Sequence, residues 1–141
     1  EHRLLNFIFK NNAAVSGVTF ATPGDTIYVG LATAVSDAEG STGSTGFTEA
    51  TFGAYVRKQV AASGWTLASA STDAQTVTNA SNVEFPASTG TSNVITHVII
   101  TDNATTGNGN VLFVGALDAN KTIATGDIFR INAGNLTIEL K

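Results

Sequence analysis

Apolar side chains in this chain fall in short runs separated by polar stretches, and most runs are rich in β-branched residues. Thr26-Ile27-Tyr28-Val29-Gly30-Leu31 follows the turn Pro23-Gly24-Asp25 and reads as a strand. Residues 55–60, Trp65-Thr66-Leu67 and Thr76-Val77-Thr78 are further strand candidates, and the run 83–85 is closed by Pro86. The strongest runs are 94–101 and 111–117, joined by a polar loop over 102–110. Their mixed, not strictly alternating, pattern predicts strands covered on both faces in places. Near the C-terminus, 127–132 and 135–140 flank Ala133-Gly134. A two-residue turn there sets Ile131 opposite Leu136 and Phe129 opposite Ile138 on one apolar face, with Arg130 and Thr137 on the other. Residues 36–48 have almost no apolar content and read as a loop suited to a peripheral role.

One segment has helical spacing. Leu4 and Ile8 share a face, as do Leu5 and Phe9, and Phe7 widens the stripe. Burying these five side chains gives roughly 7–15 kcal/mol gross, before ordering costs. Leu4, Leu5, Phe7, Ile8 and Phe9 either dock on the chain's own core or form an arm that contacts a neighbouring subunit. Eight to ten short strands and one helix predict an all-β fold: a single-domain, jelly-roll-like β-sandwich over 13–141 behind a short N-terminal helix or arm over 1–12.

Composition narrows the function. Of the 141 residues, 13% are charged, about half the usual share, and Gly, Ser, Thr, Ala and Asn fill the gap. A neutral polar surface desolvates cheaply against partners, although Thr- and Ser-rich β-sandwiches are common in any case. The net charge is −4 and the seven basic residues are scattered, so no basic stripe for nucleic acid is present. There is no cysteine, which excludes disulfides and thiolate metal sites. No apolar run reaches the ~18–20 residues of a membrane-spanning helix. The first residues lack a signal-peptide pattern, and the absence of an initial Met leaves room for residues upstream of Glu1.

Catalysis and metal binding require converging groups, and the sequence offers few. His2 lies at the chain end, and His97 stands within a strand without a second ligand at metal spacing, so a packed or hydrogen-bonded role is expected. The carboxylates are spread singly, there is no Gly-x-Ser-x-Gly, and the loop Ser41-Thr42-Gly43-Ser44-Thr45-Gly46 lacks the ending of a phosphate cradle. Asp25 and Asp102-Asn103 are not followed by a calcium-loop pattern. Trp65, the only tryptophan, is expected in the core. No enzyme activity, cofactor or metal is therefore expected.

Four stretches in order resemble a family of small phage virion proteins described as tail-fibre-like or decoration-like: Val83-Glu84-Phe85-Pro86-Ala87, Val94-Ile95-Thr96-His97-Val98-Ile99-Ile100-Thr101-Asp102, Val111-Leu112-Phe113-Val114-Gly115-Ala116-Leu117, and Lys121-Thr122-Ile123-Ala124-Thr125-Gly126-Asp127-Ile128-Phe129-Arg130-Ile131. The closing Ala133-Gly134-Asn135-Leu136-Thr137-Ile138-Glu139-Leu140 fits too. Tyr28-Val29-Gly30-Leu31, Tyr55-Val56-Arg57-Lys58-Gln59 and the leading Leu4-Leu5-Asn6 match more loosely. The resemblance implies a bacteriophage virion part without catalytic residues. Because the chain is short and lacks the repeats of a fibre shaft, the preferred expectation is a capsid decoration or cement protein on the capsid surface, contacting the major capsid protein or other virion proteins. The alternatives are a tail-fibre, tail-tip or baseplate component, or a carbohydrate- or receptor-binding module. Sparse charge on the strands leaves sheet edges open to neighbours, and a homotrimer matching threefold shell sites is expected.

Overall fold

A computed structural model of the chain describes residues 8–9, 14–15, 18–19, 26–37, 45–68 and 75–140. The fold is all-β. The described strands are β1 Ala14–Val15, β2 Val18–Thr19, β3 Ile27–Val35, β4 Phe47–Glu49, β5 Lys58–Val60, β6 Trp65–Leu67, β7 Gln75–Asn79, β8 Val83–Glu84, β9 Asn93–Thr101, β10 Val111–Ile123, β11 Arg130–Ile131 and β12 Thr137–Leu140. Among the described residues, helical backbone is confined to Ile8 and Phe9 and a 3-10 turn at Ala62–Gly64. The chain folds as two compact units assembled from interleaved segments. One comprises Glu1–Thr26, Val60–Val83 and Ile131–Lys141; the other comprises Ile27–Gln59 and Glu84–Arg130.

The first unit holds an antiparallel sheet in the order β12-β7-β6, with Ile138 opposite Val77 and Leu67 opposite Val77 on the other side. β7 alternates strictly, with Gln75, Val77 and Asn79 buried. Trp65 is 1% exposed, and the ring of Phe9 meets it edge-on at 4.7 Å. β1 and β2 form a separate antiparallel pair.

The larger unit is built on the sheet β10-β9-β3-β4, with β5 also pairing β3. β9 lies at its centre, antiparallel to both β3 and β10. The run Val98–Thr101 is buried without interruption, as is Val29–Ala32 in β3, so these strands are covered on both faces as the mixed apolar pattern predicts. An aromatic chain fills the space beneath. Phe52 meets Tyr55 edge-on at 5.3 Å, Tyr55 stacks on Phe85 at 6.0 Å, and Phe85 meets Phe129 edge-on at 5.9 Å. Such contacts add about 0.5–1.5 kcal/mol per pair beyond area burial.

Three expectations need correction. β10 is not covered on both faces: it is the outer one of the described strands of its sheet, and Ile123 at its end is its sole buried residue. The strand expected over 55–60 is reduced to Lys58–Val60. Ala54 has φ 67 and the Tyr55 amide donates to Phe52 O at 2.9 Å, a turn that breaks the extended run. The C-terminal segments do not pair as a hairpin. Phe129, Ile131 and Ile138 are buried, Leu136 is half-buried, and Arg130 and Thr137 are exposed, so the faces are as expected. β12 nevertheless pairs β7 and β11 pairs β8. The cause is Asn79. Its amide nitrogen donates to Asn132 O at 2.9 Å, its side-chain oxygen accepts from the Leu136 amide at 2.9 Å, and its backbone carbonyl accepts from the Gly134 amide at 2.8 Å. The turn itself is closed, since the Asn135 amide donates to Asn132 O at 3.1 Å, but no ladder continues from it between β11 and β12.

Candidate functional site

Arg57 is 4% exposed. A guanidinium carries five donors that must all be met when it leaves water. Its Nε donates to Glu49 Oε1 at 2.8 Å and its Nη2 to Glu49 Oε2 at 2.9 Å, a two-pronged carboxylate contact. Its Nη1 donates to the backbone carbonyls of Asn103 at 2.8 Å and Asn108 at 2.9 Å, and more weakly to Thr101 Oγ1 at 3.3 Å. The loop between β9 and β10 therefore wraps its carbonyls around a protein cation.

The loop adds its own ties. Asp102 accepts from the Asn110 amide and from its side-chain nitrogen, both at 2.7 Å, and Asn103 Oδ1 accepts from the Thr105 amide at 2.9 Å. Gly109 has φ +80, and a Cβ there would lie 2.4 Å from both Asp102 Oδ1 and Asn103 Cβ. Gly109→Ala is expected to destabilise the chain by about 1–3 kcal/mol, read by urea unfolding. A loss confined to faster amide exchange in 102–110 would show that the loop yields alone.

Tyr55 connects this clamp to the sheet. Its hydroxyl donates to Glu49 Oε1 at 2.8 Å and accepts from the Leu31 amide at 2.9 Å. Gly30 permits the approach, since a Cβ there would stand 3.0 Å from that hydroxyl and 2.8 Å from Ile99 Cγ1. Burial pushes the phenol well above the ordinary tyrosine range, and the Glu49 carboxylate adds to the shift. The folded state thus holds this proton more tightly than the unfolded state does. The stabilisation is whole below about pH 10 and falls by about 1.4 kcal/mol per unit as pH rises above it. Unfolding free energies at pH 9, 10 and 11 should show this slope, and Tyr55→Phe should show a shallower one.

Arg57, Glu49 and Tyr55 are hydrogen-bonded to one another and to the loop's carbonyls, so the cluster acts as a clamp. What it presents is the outer rim of the loop, Ala104 to Asn108, which is exposed and uncharged. Sequence reading missed the cluster. The available signal was the concentration of Asp and Asn acceptors in 102–110 without a metal-loop pattern, matched by an arginine beside an exposed Val56.

Of the residues proposed as an inter-subunit contact, Leu4, Leu5 and Phe7 lie outside the described residues, Ile8 is half-buried, and Phe9 packs on Trp65 of its own chain. Trp65 is a core residue, as expected. His97 Nδ1 sits 2.7 Å from Thr96 Oγ1, the hydrogen-bonded role expected for it. Of the loop expected over 36–48, residues 36–37 and 45–48 are described: Ser36 and Asp37 both donate to Gly46 O, at 2.9 and 3.0 Å, while Phe47 and Thr48 pair with β3 as part of β4, so that end is strand and not loop. Among the described residues no three His, Cys, Asp or Glu side chains gather to hold a metal, and no helix is long and apolar enough to cross a membrane.

No curated protein matches the chain. A family model described as Podophage GP4 fiber I protein gp80 matches residues 1–139. That agrees with the resemblance to tail-fibre-like proteins, and it favours the fibre reading over the capsid decoration role preferred from the sequence. The chain belongs to the Podophage GP4 fiber I protein gp80 family and is a structural protein of the phage virion.

Proposed function

We propose that the chain is a component of the tail fibre and works by non-covalent packing against other virion proteins, without catalysis. The family match over residues 1–139 carries this reading. The physical features support it. Low charge reduces the desolvation cost of contact, and the Arg57 clamp holds a polar loop in one shape, which lowers the ordering cost of binding. The absence of an internal repeat fits a tip, joint or collar of a fibre better than a shaft. Antibody labelling of intact particles, viewed by electron microscopy, tests the assignment. Label on the tail is the expected result, and label over the capsid faces overturns it.

A further inference from the structure

Asn108 is followed by Gly109, and every other asparagine of the chain precedes a residue with a side chain. The amide carbon of an asparagine can be attacked by the backbone nitrogen of the next residue, which closes a succinimide ring. A side chain on that next residue shields its nitrogen, and glycine has none. Asn108 is exposed, so water reaches its carboxamide. Among the described residues that carboxamide has no hydrogen-bond partner, and neither has the Gly109 amide. The neighbouring asparagines of the loop differ. The Asn103 side chain accepts from the Thr105 amide at 2.9 Å, the Asn110 side chain donates to Asp102 Oδ2 at 2.7 Å, and the residues after them are Ala104 and Val111.

The reaction balances with water alone. The Gly109 amide gives its proton to solvent, its nitrogen bonds to Asn108 Cγ, and the Cγ–Nδ2 bond breaks as ammonia leaves with a proton from solvent. Water then opens the ring at one of its two carbonyls. Breaking the bond from Gly109 N to Cγ leaves aspartate on an unaltered backbone. Breaking the bond from Gly109 N to the Asn108 carbonyl carbon leaves isoaspartate, in which the backbone runs through Cβ and Cγ and the former backbone carbonyl becomes a free carboxylate. That carbonyl is the one whose oxygen Arg57 Nη1 holds at 2.9 Å. A buried guanidinium there stabilises the negative charge that develops on this oxygen as water adds. Afterwards it makes a charge-assisted bond to the carboxylate. We propose that Asn108 is a site of spontaneous deamidation in the folded chain and that Arg57 directs its product towards isoaspartate. The change puts a negative charge on the uncharged rim Ala104 to Asn108 and raises the desolvation cost of any contact made through it.

This chemistry does not depend on where the chain sits on the particle. The test holds the purified chain folded in warm, mildly alkaline buffer, beside a second sample unfolded in guanidinium chloride. Peptide mass spectrometry locates lost amides, and labelling by an isoaspartyl methyltransferase counts isoaspartate. In the folded sample Asn108 should lose its amide ahead of every other asparagine, and a more acidic species should grow with time on anion exchange. Asn108→Ser should abolish that species. The isoaspartate share at 108 should be higher in the folded sample than in the unfolded one. An Asn108 amide retained in the folded sample while the unfolded one loses it would overturn the site. An isoaspartate share equal to or below that of the unfolded sample would overturn the part given to Arg57.

Discussion

Arg57→Leu is expected to lower the free energy of unfolding by about 3–5 kcal/mol, the largest single-residue effect in the chain. The pair with Glu49 need not be strongly stabilising in itself, because both charges leave water to make it. The loss comes from what remains. The Glu49 side chain is 7% exposed, and with the guanidinium gone its carboxylate keeps the Tyr55 hydroxyl as its remaining described partner. Asn103 O loses a 2.8 Å bond and Asn108 O a 2.9 Å bond, and the loop they belong to loses its anchor. Arg57→Lys should recover little, since an ammonium cannot reach both carboxylate oxygens and both carbonyls with one planar fork. Leucine at both 49 and 57 should cost less than the sum of the two single changes, by about 0.5–3 kcal/mol. It should not restore the loop. Urea unfolding of the four proteins closes the cycle, and amide exchange over 102–110 reports the loop. A cost below about 1 kcal/mol for Arg57→Leu would mean that water replaces the guanidinium.

The elements that sequence reading located well are those whose stability is local or whose pattern is dense. Trp65–Leu67 is the predicted strand to the residue, and Asn93–Thr101 differs from prediction by one position. The polar loop 102–110 lies where its composition puts it. The shortened strand at 55–60 has a local cause, the turn at Ala54, whereas the other misreadings turn on partners distant in sequence. Val111 to Leu117 is as apolar as its neighbour, and nothing in its composition says that it is the outer of the described strands and leaves its residues unburied. Arg57 lies 46 and 51 positions from its loop partners, so an ordinary Arg-Lys dipeptide concealed a buried cation. The C-terminal register was sound as a statement about faces and unsound as a statement about pairing. Periodicity fixes which side chains turn inward, but any strand with the right edge can satisfy the backbone.

Asn79 is that competing edge, and its replacement should give the second large effect. The residue is 1% exposed. Its side chain donates to Ser81 O at 2.8 Å and to Asn132 O at 2.9 Å and accepts from the Leu136 amide at 2.9 Å. Asn79→Leu keeps the branching and the number of heavy atoms and removes all three bonds. Ser81 and Asn132 are exposed, so their carbonyls regain water at modest cost, while the amide of half-buried Leu136 does so less readily. The expected loss is about 2–4 kcal/mol, or roughly 6–15 °C in Tm for a chain of this size. Asn79→Asp separates the roles. Its carboxylate can still accept from Leu136, but its second oxygen then faces two carbonyls where a donor stood. The variant should be poorer than Asn79→Leu at neutral pH and should recover as acid protonates the introduced carboxyl and restores a donor. Exchange of the Leu136 amide should quicken in Asn79→Leu before the β6–β7 pair opens, whereas the Gly134 amide keeps its bond to the backbone carbonyl of residue 79. If the Leu136 amide stays protected in Asn79→Leu while stability falls, the bond from the Asn79 side chain is not what holds that amide, and the loss lies in the contacts to Ser81 and Asn132.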